Sequence, residues 1–194
     1  MRKSKIFGKP LPLNEWQMVQ RAKARKRTRI WRWIIGIGVG TTLLAATIAF
    51  PLRPLLIWNA SASTPIGLYY IGSAPFLKRG DLVAVWLPEP MRGLAAERRY
   101  LPRNIPALKR IVAVQGDRVC AIGRRIFVNG ESVAERLIVD SKGRPMPLWE
   151  GCRALGLGDL FLLNSGARNS FDGRYIGVTK TSDVLGKATS LCPG

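Results

Sequence analysis

The chain has 194 residues, with 31 lysines and arginines against 12 aspartates and glutamates, and it contains no histidine. A formal net charge of +19 directs attention to anionic partners, such as lipid headgroups or nucleic acid. Without imidazole, a Ser-His-Asp triad and any histidine-ligated metal site are excluded, so a serine nucleophile would need a different base.

The first 52 residues join a basic segment to an apolar one. Residues 33–52 carry no charge and are long enough to cross the ~30 Å apolar core of a bilayer as a helix. Residues 1–32 are rich in lysine and arginine, so the positive-inside rule predicts an inner-membrane protein with a cytoplasmic N-terminus. A basic arm beside a membrane helix contacts anionic lipid more simply than DNA, so we expect lipid and no specific nucleic acid as a partner.

A cleavable signal peptide is the alternative explanation of this apolar segment. The apolar run is longer than the usual core of a signal peptide, and no plain Ala-x-Ala site follows it directly. We therefore predict a cytoplasmic tail over residues 1–32, an uncleaved anchor over 33–52 and a periplasmic domain over 53–194.

The periplasmic part is long enough for one domain and is predicted to be mainly β. Gly-Asp pairs precede apolar runs at residues 80–81, 116–117 and 158–159. Residues 124–134 predict a hairpin around Asn129 and Gly130, because this pair supplies the positive φ angles of a tight turn. One short helix fits residues 91–100. Since no βαβ alternation is present, we expect an antiparallel, partly closed β-sheet.

Ser63 and Lys109 are candidate catalytic residues. Ser63 precedes a turn-forming stretch, residues 64–67, and should stand at the entrance of a strand. Lys109 lies in an apolar, β-branched run typical of a buried strand, where loss of hydration lowers a lysine pKa. A neutral lysine can accept the proton of a serine hydroxyl. Taken separately, each residue has an ordinary explanation, a turn serine or a solvent-facing lysine.

Three segments, in this order along the chain, carry a family resemblance. They are residues 61–69 (SASTPIGLY), 109–117 (KRIVAVQGD) and 169–177 (NSFDGRYIG). Together they resemble bacterial type I signal peptidases (peptidase family S26), which are serine/lysine proteases, over roughly residues 30–190. The Ser-x-Pro-x-Gly-Leu-Tyr form of the first segment is similar to the conjugative-transfer branch, the TraF type. General leader peptidases have one more residue between Ser and Pro.

The resemblance implies catalytic roles for three residues of the first two segments. Ser63 would be the nucleophile and Lys109 the general base. The hydroxyl of Ser61 would join the Ser63 backbone N–H in the oxyanion hole, where donors stabilise charge that develops in the transition state. The family also implies an antiparallel β architecture.

For the third segment the resemblance implies supporting roles. Ser170 would orient the Lys109 amine, and Asp172 and Arg174, two apart on one strand face, would form an ion pair that braces the loop. The chain departs from the family pattern at Gly173, where many relatives have serine, and over residues 87–106. We expect neither departure to touch the chemistry.

Cys120, Cys152 and Cys192 would lie in an oxidising compartment, where a disulfide is expected. We favour Cys120 with Cys152, and the alternatives are Cys152 with Cys192 or three buried free thiols. Without histidine or Cys-x-x-Cys spacing we expect no metal, and we expect no other cofactor.

The first hypothesis is a membrane-anchored serine endopeptidase that processes an exported precursor. The resemblance implies a conjugative pilin as that precursor, with cyclisation of the pilin as a further outcome of the same acyl-enzyme. A general type I leader peptidase is the alternative within the family. An alternative of another class is a non-catalytic basic membrane scaffold, or a DNA-binding component of a transfer apparatus.

Overall fold

The computed structural model describes residues 13–49 and 55–193, and the chain divides into two compact units, residues 1–52 and 53–194. The described residues of the first unit form one helix, α1, Leu13–Ala49. A 22-residue part of it, Lys26–Thr47, is by length and composition apolar enough to cross a membrane. The span expected at residues 33–52 lies within this helix as far as residue 49, and residues 50–52 lie outside the described residues.

Helix α1 begins well inside the basic segment, earlier than the expected anchor. Residues 13–35 contain neither glycine nor proline, and arginine, lysine and glutamine are good helix formers. Residues 13–32 of the basic segment and residues 33–49 of the apolar segment therefore share one continuous helix.

The second unit is built mainly from antiparallel strands. The strands of its larger sheet are β1 Leu56–Asn59, β2 Gly67–Gly72, β3 Leu82–Val85, β4 Ala107–Ala113, β9 Asp159–Leu163, β10 Val178–Lys180 and β11 Val184–Pro193. The order across this sheet is β1-β2-β11-β3-β4-β9-β10.

A smaller sheet lies between β4 and β9 in the sequence. Its strands are β5 Arg118–Ile122, β6 Arg125–Val128, β7 Glu131–Glu135 and β8 Gly151–Ala154, in the order β7-β6-β5-β8. Two helical segments complete the unit, α2 Met91–Glu97 and α3 Gly173–Ile176, with a 3₁₀ turn over Thr181–Asp183.

The predicted fold class, mainly β and antiparallel behind one N-terminal apolar helix, is confirmed, since all strand pairs in both sheets are antiparallel. The expected hairpin is β6 and β7, with φ of 51° at Asn129 and 89° at Gly130. The expected helix is α2, which ends at Glu97. The division into two sheets was not predicted, because the sequence of a strand does not show which other strand it pairs with.

Strand β9 connects two cores. Leu160 and Leu162 pack into a core with residues of β3, β4, α2 and α3, whereas Phe161 and Leu163 pack into a second core with β5 and β6. Successive side chains of a strand point to opposite faces, so this strand is buried on both. Its continuous apolar sequence follows from that position.

The disulfide joins Cys120 to Cys152. These two cysteines occupy paired positions of the neighbouring strands β5 and β8, with their Cα atoms 4.0 Å apart. This is the pair that the sequence favoured, and it ties the edge strand β8 to the centre of the smaller sheet. Cys192 belongs to β11, and its side chain lies outside the described part.

Candidate active site

Ser63 lies in the turn between β1 and β2, a few residues before β2 begins. Asn59, the last residue of β1, holds this turn with its side-chain amide. Its Nδ2 lies 3.0 Å from the Ser61 carbonyl oxygen, 2.8 Å from that of Thr64 and 3.1 Å from that of Pro65. A buried asparagine therefore fixes the path of the loop that carries Ser63.

The same asparagine determines how the two serine hydroxyls are arranged. Carbonyl oxygens only accept hydrogen bonds, so the three carbonyls around Nδ2 place the amide oxygen of Asn59 on the side of Ser61. Ser61 Oγ then donates to Asn59 Oδ1 at 3.0 Å, which leaves Ser63 Oγ to donate to Ser61 Oγ at 3.0 Å. Ser61 must turn its hydroxyl away from Asn59 before it can donate to an oxyanion.

The Ser63 backbone N–H, the other expected oxyanion donor, has no acceptor within residues 55–193. An unengaged N–H next to a nucleophilic oxygen remains available to a bound carbonyl group.

Lys109 lies on β4, on the face that also buries Ala107 and Ile111. The residue is 6% exposed, and Nζ donates to Ser170 Oγ at 2.8 Å. Burial lowers the pKa of Lys109 from 10.5 to about 8, the Asp172 carboxylate opposes this shift, and the Arg174 guanidinium adds to it. A shift of this size makes the charged amine roughly 3 kcal/mol less favourable in the fold than in water. Lys109 can therefore hold a free electron pair near neutral pH.

Ser63 and Lys109 line one cavity of about 770 Å³, together with Ser61 and Ser170. The rest of its wall is largely apolar, contributed by Ile57, Leu87, Tyr100, Leu101, Ile105 and Phe171. No hydrogen bond joins Ser63 Oγ directly to Lys109 Nζ in the described residues, and such catalytic contacts often tighten only when substrate binds. Residues 87–106, the segment expected to differ from the family pattern, form part of this wall.

Asp172 and Arg174 form a buried ion pair with Arg174 Nε 3.2 Å from Asp172 Oδ1. The expectation that both lie on a strand face is wrong. Asp172 is the N-cap of the short helix α3, and its side chain accepts from the Arg174 backbone N–H. Aspartate at this position satisfies a helix-start N–H that would otherwise lack a partner, which favours a helical turn over a strand.

Three further polar residues hold the site together, and the sequence did not single them out. They are Asn59, Thr64 and Asn164, and all three are buried. An asparagine between a strand and a turn is a recognisable signal for Asn59. Asn164 gives no local signal, because its side-chain partner Thr64 is 100 positions away.

The chain is similar to several known proteins. A family model described as signal peptidase, peptidase S26, matches residues 29–192. Two plasmid transfer proteins TraF of Escherichia coli are similar to the chain, one 30% identical over 161 residues (78% of this chain, 89% of TraF) and one 31% identical over 169 residues (80% and 91%). A solved structure of a signal peptidase I from Enterococcus faecalis V583 is 22% identical, with a TM-score of 0.36, and covers 60% of this chain and 100% of that one.

We predict that Gly173→Ala lowers the thermal unfolding midpoint of the protein. A Cβ atom here would lie 2.7 Å from the Leu162 carbonyl oxygen and 2.9 Å from a Phe161 ring carbon, and overpacking of this kind costs about 1–3 kcal/mol. The displaced backbone belongs to the ion-pair turn. Gly156→Ala is the control, because its nearest contact would be Asp159 Oδ2 at 3.6 Å. Thermal unfolding followed by circular dichroism gives the midpoint of each variant, and equal midpoints for Gly173→Ala and Gly156→Ala would contradict the prediction.

Proposed function

The chain belongs to the signal peptidase S26 family, and we propose that it is a membrane-anchored serine endopeptidase with Ser63 as nucleophile and Lys109 as general base. Family membership makes it a peptidase that acts on exported precursors. The observation that carries the proposed dyad is a shared cavity, lined by Ser63 and by a lysine whose pKa burial lowers to about 8.

Acylation would start with the neutral amine of Lys109. Ser63 Oγ attacks the scissile carbonyl carbon, and its proton passes to Lys109 Nζ as the new C–O bond forms. The carbonyl oxygen becomes an oxyanion, which the Ser63 N–H and the Ser61 hydroxyl stabilise. When the C–N bond breaks, Lys109 returns the proton to the leaving amine, and an ester on Ser63 remains.

Deacylation would use the same base a second time. A water molecule, or an amine of the substrate, loses a proton to Lys109 and attacks the ester, and Ser63 recovers its proton from Lys109. Water gives a cut precursor, whereas the substrate's own N-terminal amine gives a cyclic product. Ser170 supports both steps, because its hydroxyl accepts from Lys109 Nζ and so fixes the position of the amine.

The most fitting substrate is a conjugative pilin. Its support is the similarity to plasmid transfer proteins TraF over about four-fifths of the chain. A general secretory precursor is the alternative, and the two substrates can be compared directly in one assay.

The proposed topology places residues 1–32 in the cytoplasm, residues 33–52 in the inner membrane and residues 53–194 in the periplasm. The helix segment Lys26–Thr47 supports an anchor, and the excess of basic residues before it supports the orientation. Ser63 follows the anchor closely in sequence, which would keep the nucleophile near substrates tethered in the same membrane.

The dyad is tested by Lys109→Arg beside Ser63→Ala in the full chain, purified in detergent micelles. Arginine keeps the charge but does not lose its proton at workable pH, so we expect both variants to be inactive on a conjugative prepilin. In the wild type, kcat/KM should rise about tenfold per pH unit up to about pH 8 and then level off. The sign follows from the lowered pKa, since the neutral, reactive fraction of Lys109 grows with pH.

The mass of the product distinguishes cyclisation from simple cleavage. A cyclic product is lighter than the linear cut product by one water, and a precursor with an Ala-x-Ala leader site shows whether general leaders are also cut.

Circular dichroism confirms that the Lys109→Arg and Ser63→Ala variants are folded. If Lys109→Arg keeps more than a few per cent of wild-type turnover, the dyad assignment is wrong. DNA binding that persists in both variants and falls steeply with salt would then favour the scaffold alternative.

Ser61→Ala should lower kcat by roughly 10² to 10³ with little change in KM, as expected for loss of one oxyanion donor. Ser61→Thr should remain active, because it keeps the hydroxyl and the Ser61 side chain is exposed, which leaves room for a methyl group. Steady-state kinetics on the prepilin measures both variants. Wild-type turnover in Ser61→Ala would show that the Ser63 N–H acts with another donor.

The orientation is tested by adding protease to intact spheroplasts that express the chain with tags at both ends. We expect digestion of the region after residue 53 and protection of the basic segment over residues 1–32, because positively charged arms remain in the cytoplasm. Permeabilised spheroplasts, in which both tags should be lost, are the control. Protection of the C-terminal tag in intact spheroplasts would reverse the topology.

A further inference from the structure

Asn164 connects the loop of the nucleophile to the strand of the base. Its Nδ2 lies 3.1 Å from Thr64 Oγ1 and 3.0 Å from the Leu108 carbonyl oxygen. Thr64 directly follows Ser63 in the chain, and Leu108 directly precedes Lys109. One side-chain amide thus touches the immediate neighbours of both proposed catalytic residues.

Asn164, Thr64 and the Leu108 carbonyl are joined by three hydrogen bonds. The Leu108 carbonyl can only accept, so the atom of Asn164 that faces it is the NH₂ group. Thr64 Oγ1 accepts from that group and donates to the same carbonyl at 3.3 Å. All three residues are buried, so water does not readily replace these bonds, and a lost partner would leave a buried polar group unsatisfied.

The backbone of Asn164 is held equally firmly on its other side. Its N–H donates to Asp172 Oδ2 at 3.0 Å, and its carbonyl oxygen accepts from Arg174 Nη2 at 2.8 Å. The ion pair of Asp172 and Arg174 therefore anchors Asn164. Ser170, the partner of the Lys109 amine, lies two residues before Asp172 on the same loop.

We infer that Asn164 is a positioning residue that sets the separation between Ser63 Oγ and Lys109 Nζ, an inference that rests on the proposed function. Proton transfer from serine to lysine requires hydrogen-bond reach, and a displacement of about 1 Å can cost on the order of 10² in rate. Asn164 is not among the residues that line the cavity, so it acts through Thr64 and Leu108 rather than on the substrate.

A residue in this role affects kcat and leaves KM nearly unchanged. Loss of its amide loosens the loop against the strand without removing any cavity-lining side chain. The pH at which kcat/KM levels off should also stay in place, because the amide of Asn164 has no hydrogen bond to Lys109 Nζ in the described residues. A residue that only stabilises the fold would instead change the unfolding midpoint without a specific effect on kcat.

The experiment compares Asn164→Ala, Thr64→Val and the double variant in the full chain, in detergent micelles. The probe is a quenched-fluorescence peptide spanning the cleavage site of a conjugative prepilin. We expect Asn164→Ala to lower kcat on the order of 10- to 100-fold with KM changed less than about threefold. Thr64→Val keeps the side-chain shape and removes two of the three hydrogen bonds, leaving only that from Asn164 Nδ2 to the Leu108 carbonyl oxygen, so it should also lower kcat. The double variant should lose less than the product of the two single losses, because both single variants break the shared bond from Asn164 Nδ2 to Thr64 Oγ1.

Asn129→Gly is the matched control. Asn129 also makes two side-chain hydrogen bonds, to Asp117 and to the Arg118 backbone N–H, but it lies in the turn of the smaller sheet. Glycine tolerates the positive φ at this position, so the variant loses the bonds without backbone strain. It should lower the unfolding midpoint while its kcat, measured below that midpoint, stays at the wild-type value.

Two results would overturn the inference. One is a wild-type kcat in Asn164→Ala, and the other is a double variant whose loss is the product of the single losses, which would mean that the two residues act independently. If Asn164→Ala fails to fold, a wild-type kcat in Thr64→Val decides against the inference by itself. Ser63→Ala in the same assay tests the proposed dyad separately from the role of Asn164. If Ser63→Ala stays active, the dyad is refuted together with the role of Asn164. If Ser63→Ala is inactive, only the role of Asn164 is refuted.

Discussion

A lysine amine is a base near neutral pH only when its pKa is lowered, and the fold around Lys109 lowers that pKa mainly by burial. Lys109 lies on β4, between β3 and β9, with Val83 as its register partner on β3. A central strand of a seven-stranded sheet provides burial that a loop would not. The Asp172 carboxylate raises the pKa of Lys109, its ion-pair partner Arg174 lowers it, and burial has the largest effect.

The ion pair also explains why the site can be assembled from distant parts of the chain. Asp172 and Arg174 are almost fully buried, and breaking such a pair by removing one partner typically costs about 3–5 kcal/mol, because it leaves an uncompensated charge. Arg174 also donates to the carbonyl oxygens of Arg168 and Asn164, which shapes the loop that carries Ser170. The loop beside Lys109 is thus held by buried polar contacts, each with a definite geometry, rather than by apolar packing alone.

Packing behind this loop leaves no spare volume. Gly173 lies against β9, where the Leu162 carbonyl oxygen and the Phe161 ring occupy the space of a side chain. Phe161 belongs to the core shared with the smaller sheet, and Leu162 belongs to the core of the larger one. A side chain at position 173 would therefore collide with residues of both cores.

The sequence by itself determined the class of the fold, the helix with its apolar segment, the hairpin at Asn129 and the residues expected to react. These properties depend on local periodicity, turn chemistry and short motifs, which neighbouring residues encode. Only the tertiary structure decided that the strands divide into two sheets, that Asp172 caps a helical turn, and that Asn164 joins Thr64 to Leu108. Those contacts depend on which distant segments pack together, and a buried hydrogen bond between residues 100 positions apart leaves no periodic signal in either segment.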